Sequence, residues 1–385
     1  VAATRIPAVR AAVEVIRSEG VGLVFSCPGA TALPWYEELE RAGASRLLMA
    51  RHEQGATHMA DGWARTYGKA GVVVAAPQGA GRTGADLDGL LTGLRAARAE
   101  AIPLVCLTGR TAPPGLSVPP DLSVPPGPSV PPGPPGEAAA VADLVRSARP
   151  VTKWAVRAGE PAQLPRTLRE AFRTAHEGRP GPVLVDLPYG ACGQEIRYAA
   201  ATGRKKSDDS PATDADTHVV TDAGLRPLWG ARCESPRTRY VVRGRDGPPG
   251  WQIPAAVGVR RALDFLGRRD TTVVALVRDH ELLFSADELA VTARYDVPLV
   301  LAVLDTGGRS GAEAVELMRT YGCAGRRVDD PGALRSTVAW AGKEAVSTAR
   351  PVLMAISGRA ADTARATAPA GSVAGASRPR TPPEA

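Results

Sequence analysis

Short runs of β-branched and apolar residues recur along the chain, each followed by a stretch of helical period. In the first half, helical periods cover residues 8–18, a segment after Pro34, 53–67 and 87–97. Strand-type runs cover 21–25, 71–76 and 103–108. The pattern continues through "VTKWAV" at 151–156, a helix at 163–176 and the apolar strand "PVLVDLP" at 182–188. A second series follows, with strands at 218–221, 240–242, 272–276, 299–304 and 351–356, and helices at 253–266, 285–295 and 312–321. Such alternation requires parallel strands joined by crossover helices. The expected fold class is therefore α/β, with two doubly wound parallel-sheet domains.

Composition places the boundaries. Residues 199–216 are polar and aperiodic and read as a linker between a first domain, 1–198, and a second, 217–360. Residues 361–385 are Ala, Ser, Thr, Arg and Pro, and read as a disordered tail. The first domain carries a Pro-rich insertion at 113–136, within which "SVPPDLSVPPGPSVPPGP" holds three near-copies of a six-residue unit. Proline at that density cannot donate ladder hydrogen bonds and favours polyproline II, so the insertion reads as an extended surface excursion. A ligand for an SH3-type domain and a plain repeat expansion both remain open.

The net charge of +7 comes almost wholly from arginine, since lysine occurs only at 69, 153, 205, 206 and 343. The arginines are scattered and form no basic stripe interleaved with aromatics, which argues against nucleic acid as a partner. A small anionic ligand fits the charge as well. Five cysteines, at 27, 106, 192, 233 and 323, have no paired spacing and an odd count, so reduced thiols are expected. No charged-then-apolar leader is visible, and no apolar run approaches the ~20 residues of a membrane helix, so a cytoplasmic protein without a membrane partner is expected.

"RHEQGATHMADGWART" (51–66) drives an apolar strand into Arg-His-Glu and then a helix. Read alone, Glu53 is either a first-turn carboxylate favoured by the helix dipole or a proton carrier. Together with "VFSCPGATALPWYEEL" (24–39), "AIPLVCLTGR" (101–110) and "GRPGPVLVDLPYG" (178–190), the stretch resembles the pyrimidine-binding domain of thiamine diphosphate enzymes. The group it is similar to is that of acetolactate synthase and glyoxylate carboligase. "VVTDAGLRPLWGAR" (219–232), "GPPGWQIPAAVGV" (247–259) and "ADELAVTARYDVPLVLAVLDTGG" (286–308) resemble the diphosphate-binding domain of the same group.

This resemblance implies both halves of the thiamine diphosphate-binding fold with the middle domain absent. It implies thiamine diphosphate and Mg²⁺ as cofactors, and no FAD, because the FAD-carrying domain has no counterpart within 199–216. Glu53 would hydrogen-bond a pyrimidine nitrogen and activate the cofactor by a proton relay. Pro28, Gly29, Gly79, Gly224, Gly250, Trp251 and Arg278 would lie around the cofactor. The metal would be held by Asp279, Asp305, Thr306 and Gly308, although the group's Gly-Asp-Gly segment reads Arg278-Asp279-His280 here and its Asn-Asn pair reads Asp305-Thr306. Pro249 replaces a bulkier residue that props the cofactor, and Leu225 replaces a glutamine. The implied activity is decarboxylation of, or carbon–carbon ligation from, a small 2-oxo acid; the alternative is an inactive homologue with a binding or scaffold role. A homodimer or homotetramer is implied, with Glu53 supplied by one subunit and Asp279 by another.

Overall fold

The structure, a computed structural model, describes residues 3–28, 33–43, 46–75, 84–109, 144–187, 191–199, 215–244, 247–305 and 310–358. The Pro-rich insertion, the tail and most of the linker lie outside these residues.

The first half runs β1 (Thr4–Pro7), α1 (Ala8–Ser18), β2 (Leu23–Ser26), α2 (Leu33–Ala42), β3 (Arg46–Met49), α3 (Glu53–Tyr67) and β4 (Gly71–Ala75). It continues with α4 (Gly84–Ala99), β5 (Leu104–Gly109), α5 (Leu144–Ala148), β6 (Trp154–Arg157), α6 (Leu164–His176), β7 (Pro182–Leu187) and β8 (Glu195–Tyr198). The second half runs β9 (Thr217–Asp222), α7 (Arg226–Cys233), β10 (Thr238–Arg243), α8 (Gln252–Phe265), β11 (Thr272–Arg278) and α9 (Asp279–Phe284). It ends with α10 (Ala286–Arg294), β12 (Val300–Asp305), α11 (Ser310–Thr320), β13 (Gly325–Val328), α12 (Leu334–Thr348) and β14 (Val352–Ser357).

Each half forms a six-stranded parallel sheet, in the order β3-β2-β4-β5-β7-β6 and β10-β9-β11-β12-β14-β13. The two orders are the same when each half's strands are numbered from its own first sheet strand. The central strands β4, β5, β7, β12 and β14 are buried along almost their whole length, which is why they read as continuous apolar runs and not as alternation. Only residues 199–216 separate β8 from β9, so no third domain lies between the sheets.

Sequence periodicity understates several regions. The helix expected over 285–295 is α10, but the short α9 ahead of it, which begins at the end of β11 and breaks before Ser285, gives no period of its own. The edge strand β13 (GRRV) is polar and short, so it lacks an apolar run. In α12 the buried positions are only Leu334, Ala341, Gly342 and Ala345, too sparse to give a clear period. The antiparallel ribbon of β1 with β8 pairs four residues with four and is set by long-range contact.

The halves meet through α3 and α8, the helices that follow the second strand of each sheet. Both are buried nearly all round, as a helix between two layers must be. They cross at Gly62 and Gly258: a Cβ on Gly62 would strike the Ala255 carbonyl oxygen, and one on Gly258 the Met59 carbonyl oxygen. Trp63 packs edge-on or tilted against Phe25, Tyr67 and Phe265, at centroid distances of 5.2–6.2 Å. A buried ion-pair chain adds a second tie. Arg65 binds Asp61, donates to Glu100 Oε2 at 2.8 Å and reaches across to the Val242 carbonyl at 3.0 Å, while Gly244 N donates to Glu100 Oε1 at 2.6 Å.

Candidate functional site

In a doubly wound sheet, ligands bind beyond the carboxyl ends of the strands where the strand order reverses. In the first sheet that point lies between β2 and β4, and the chain leaves the adjacent β3 through Arg51-His52 into Glu53. In the second it lies between β9 and β11, whose last residues are Asp222 and Arg278, with Arg243 ending the neighbouring β10 in register with Asp222. The α3–α8 packing turns these two points toward each other within one chain.

Among the described residues, two clefts there share Pro249. One, of about 380 Å³, is lined by Asp222, Gly224, Arg243, Gly247, Pro249, Arg278, His280 and Glu281. The other, of about 210 Å³, is lined by His52, Gln54, Gly55, His58 and Thr92 from the first half and by Pro248, Pro249, Gly250 and Phe284 from the second.

On the first-half side, His52 caps α3: it is extended (φ −149°) and its Nδ1 accepts from Gly55 N at 3.0 Å. Gln54 and His58, four residues apart on one helical face, present Nε2 atoms 3.3 Å from each other. Burial, aided by the charge of Arg243, pushes the His58 pKa down to about 3, so this ring is neutral at physiological pH. Glu53 is 1% exposed and lines neither cleft; it lies near enough to Cys106 in β5 for its charge to add to the burial that raises the thiol's pKa. A carboxylate from the other half, Glu288 of α10, is fully buried against the start of α3. Its Oε1 accepts from Arg51 N at 3.2 Å and lies 3.7 Å from His52 Nδ1. Burial pushes its pKa up to about 7.

On the second-half side, Asp222 Oδ1 accepts from Gly224 N (2.6 Å) and Leu225 N (2.9 Å), and its Oδ2 accepts from Arg278 Nη1 at 2.7 Å. Glu281 Oε2 accepts from Arg278 N (3.2 Å) and Gln252 Nε2 (3.1 Å), which caps α9. Arg243 is 4% exposed and donates to the Pro248 carbonyl, and its Nε has no hydrogen-bond partner among the described residues.

Of the residues singled out from the sequence, Gly224 and Arg278 line the larger cleft and Gly250 the smaller, with Gly250 in the left-handed region at φ +76°. Trp251 is fully buried behind them, its ring stacked with the guanidiniums of Arg65 (5.1 Å) and Arg243 (5.8 Å). Pro28 is exposed just beyond β2. Asp279 opens α9 and accepts from His280 N at 2.8 Å, with His280 Nδ1 at 3.4 Å; Asp305 ends β12 and accepts from Gly311 N at 3.2 Å. Gly29, Gly79, Thr306 and Gly308 lie outside the described residues. Sequence reading missed Asp222, Arg243, Glu281 and Glu288. The first two stand at strand ends and were findable from that position alone; Glu281 and Glu288 lie in a helical run that gave no sign of their burial.

The implied cofactor can be judged against these groups. Two guanidiniums, one with a buried Nε left over, beside glycine backbone make a fit for a diphosphate. Mg²⁺ wants near-octahedral oxygen ligands. Among the described residues no cluster of three or more carboxylates, histidines or thiols exists, and Asp279 and Asp305 by themselves do not make such a site.

Two parallel sheets whose switch points face each other across such clefts define an α/β protein with its candidate ligand site between its halves. Residues 7–117 match the thiamine pyrophosphate enzyme N-terminal TPP binding domain, and residues 222–308 the corresponding C-terminal domain. The chain belongs to the thiamine pyrophosphate enzymes, in the group of acetolactate synthase and glyoxylate carboligase. It is 36% identical over 192 residues to a glyoxylate carboligase of Escherichia coli O157:H7, covering 50% of this chain and 28% of that protein. It is 34% identical over 200 residues to an acetolactate synthase of Arthrospira platensis, covering 51% and 30%. The matched part thus spans under a third of these relatives. A benzoylformate decarboxylase structure from Polynucleobacter necessarius shares the fold at a TM-score of 0.62 and 13% identity, covering 91% of this chain and 98% of that one. A thiamin diphosphate-dependent enzyme structure from Mycobacterium smegmatis, itself described as putative, does so at 0.64 and 14%, covering 91% and 99%. No helix among the described residues is long and apolar enough to cross a membrane.

Proposed function

We propose that the chain is a thiamine diphosphate-dependent carboligase or decarboxylase acting on a small 2-oxo acid. The observation that carries this reading is the meeting of the Glu53 helix and the arginine-lined cleft at Pro249. When bound, thiamine diphosphate supplies an electron sink for breaking or making a bond beside a carbonyl. The chain's residues do the rest. Glu53 would pass a proton to and from the cofactor from a side chain shielded from water. Neutral His58 and Gln54 offer hydrogen bonds on the same wall without adding charge, and Pro249, Gly250 and Phe284 give the opposite wall an apolar surface. Arg278 and Arg243 hold the anionic end.

The test is release of CO₂ from glyoxylate and pyruvate in the presence of thiamine diphosphate, by the unaltered chain and by Glu53→Gln. Turnover that Glu53→Gln reduces by about a hundredfold or more, the range of general acid–base catalysis, supports the reading; none from either 2-oxo acid sinks it. The altered segment Arg278-Asp279-His280 favours a second reading, a homologue that binds the cofactor without turnover. Cofactor-dependent stabilisation with no CO₂ release would select it.

A homodimer or homotetramer is part of the proposal. Phe284 (61% exposed) lines the smaller cleft and Leu283 (76%) precedes it in α9, exposed apolar side chains of the kind that association covers. Sedimentation showing only monomer at micromolar concentration would remove this part.

A further inference from the structure

We infer that the cleft at the carboxyl end of the second sheet binds a diphosphate without a divalent metal, with the guanidiniums of Arg278 and Arg243 standing where a cation would otherwise neutralise the ligand. The inference rests on the function proposed above for the identity of the whole ligand, but not for the diphosphate chemistry of the cleft.

Arg278 bonds to carboxylates through one edge only. Asp222 is largely engaged elsewhere, its Oδ1 taken by Gly224 N and Leu225 N, and Glu281 is occupied by Arg278 N and the Gln252 amide. Both meet the Arg278 side chain at Nη1, at 2.7 and 3.5 Å. These contacts fix the plane of the guanidinium and leave its Nη2 beside Gly224, where a Cβ would sit 3.2 Å away. A guanidinium held in plane is prepared to bind phosphate oxygens through two parallel N–H groups.

Arg243 supplies the second cation. It is 4% exposed, lines the same cleft, and its buried Nε has no hydrogen-bond partner among the described residues. That Nε packs against Gly247, where a Cβ would come within 2.6 Å, so only glycine lets the backbone lie this close to the guanidinium. A buried donor without an acceptor costs about 1–3 kcal/mol, and a ligand oxygen would remove that cost. Backbone at Gly224 and Gly247 admits the ligand between the two side chains. The carboxylates that the resemblance gives the metal, Asp279 and Asp305, each already accept a backbone N–H, and the cleft's own carboxylates, Asp222 and Glu281, are turned to Arg278.

Calorimetric titration of the full chain with inorganic pyrophosphate, then with thiamine diphosphate, in EDTA and in Mg²⁺, tests this. The expected dissociation constants agree within about threefold between the two conditions, and Arg278→Gln weakens pyrophosphate by at least about tenfold. Arg243→Gln should do the same. If that buried variant does not fold, as judged by circular dichroism, Arg278→Gln and the chelator comparison decide alone. Binding seen only with Mg²⁺, no pyrophosphate binding, or an unaffected Arg278→Gln each overturns the inference. Metal-free pyrophosphate binding without 2-oxo acid turnover would leave it standing while the proposed function failed; Mg²⁺-dependent turnover would do the opposite.

Discussion

Glu288 Oε1 accepts a hydrogen bond from Arg51 N at 3.2 Å, so a carboxylate from the second half of the chain is seated at the start of the helix whose first residue is Glu53. The seat is tight: a Cβ on Gly55 would overlap the Glu288 carboxylate. Its second oxygen is buried without a hydrogen-bond partner among the described residues, which is why the group resists ionisation.

This yields a pH prediction. The folded pKa of Glu288, about 7, lies above its ordinary 4.5, so the folded state holds the proton more tightly than the unfolded chain. The stability this supplies is complete below pH 4.5 and is lost as pH rises toward 7. Glu288→Gln, which cannot ionise, should gain on the unaltered chain over that window at about 1.4 kcal/mol per pH unit, then hold a constant difference. Asp287, Arg51 and His52 surround the group in both proteins' comparison except for the one changed atom. Urea unfolding at pH 5, 6, 7 and 8 measures it; a difference that does not vary with pH would refute the assignment.

Arg65→Met should cost about 3–5 kcal/mol, the range for leaving one partner of a buried ion pair alone. Asp61 is 2% exposed, burial pushes its pKa up against the pull of Arg65, and Met offers no donor to it. Adding Asp61→Asn should recover much of the loss by removing the stranded charge. If the double variant is no more stable than the single one in denaturant titration, the Arg65 bonds to Glu100 and Val242 carry the effect instead.

The two sheets were legible in the sequence because their central strands are buried on both faces, so each of those appears as an unbroken apolar run. Glu53 stood out for a related reason, a charge placed directly after such a run. The Arg243–Asp222–Arg278–Glu281 cluster was not legible, since it gathers residues from β9, β10, β11 and α9 whose juxtaposition depends on strand order. Arg278 was noticed as a departure from the metal motif and placed beside the cofactor; that Asp222 and Glu281 hold its guanidinium in plane is a fact of packing. Glu288 reads as one more polar position in a helix, and nothing local marks it as the group that enters the other half of the chain.

His218 should contribute to a separate acid sensitivity, beside that of His58. It is fully buried in β9, neither ring nitrogen has a hydrogen-bond partner among the described residues, and burial with nearby Arg239, Arg260 and Arg268 holds its pKa down to about 4. Because the folded value lies below the ordinary 6.5, its share of stability is present above pH 6.5 and is lost as pH falls toward 4, at about 1.4 kcal/mol per pH unit. His218→Leu should flatten that limb and leave stability at pH 8 unchanged or higher. An acid limb as steep as before would assign the loss to His58 or another group.

Gly258→Ala tests the contact that aligns the two halves. The added methyl would meet the Met59 carbonyl oxygen, the Met59 carbonyl carbon at 2.8 Å and Trp63 N at 2.8 Å, all backbone atoms within a buried helix. No rotamer change relieves a clash with backbone, so α3 and α8 must move apart. That movement opens gaps beside Trp63 (1% exposed) and Trp251 (fully buried) and shifts the Glu53 helix relative to Pro249. Overpacking of this kind costs about 1–3 kcal/mol or more. The expected outcome is a lower urea midpoint together with red-shifted tryptophan fluorescence in the folded baseline, as water reaches the interface. Gly193→Ala is the control: it is exposed and its added Cβ meets nothing within 4 Å, so its midpoint should change by no more than about 0.5 kcal/mol in equivalent stability. If Gly258→Ala behaved like Gly193→Ala in both measurements, the α3–α8 crossing could not be what brings Glu53 and the arginine cleft together.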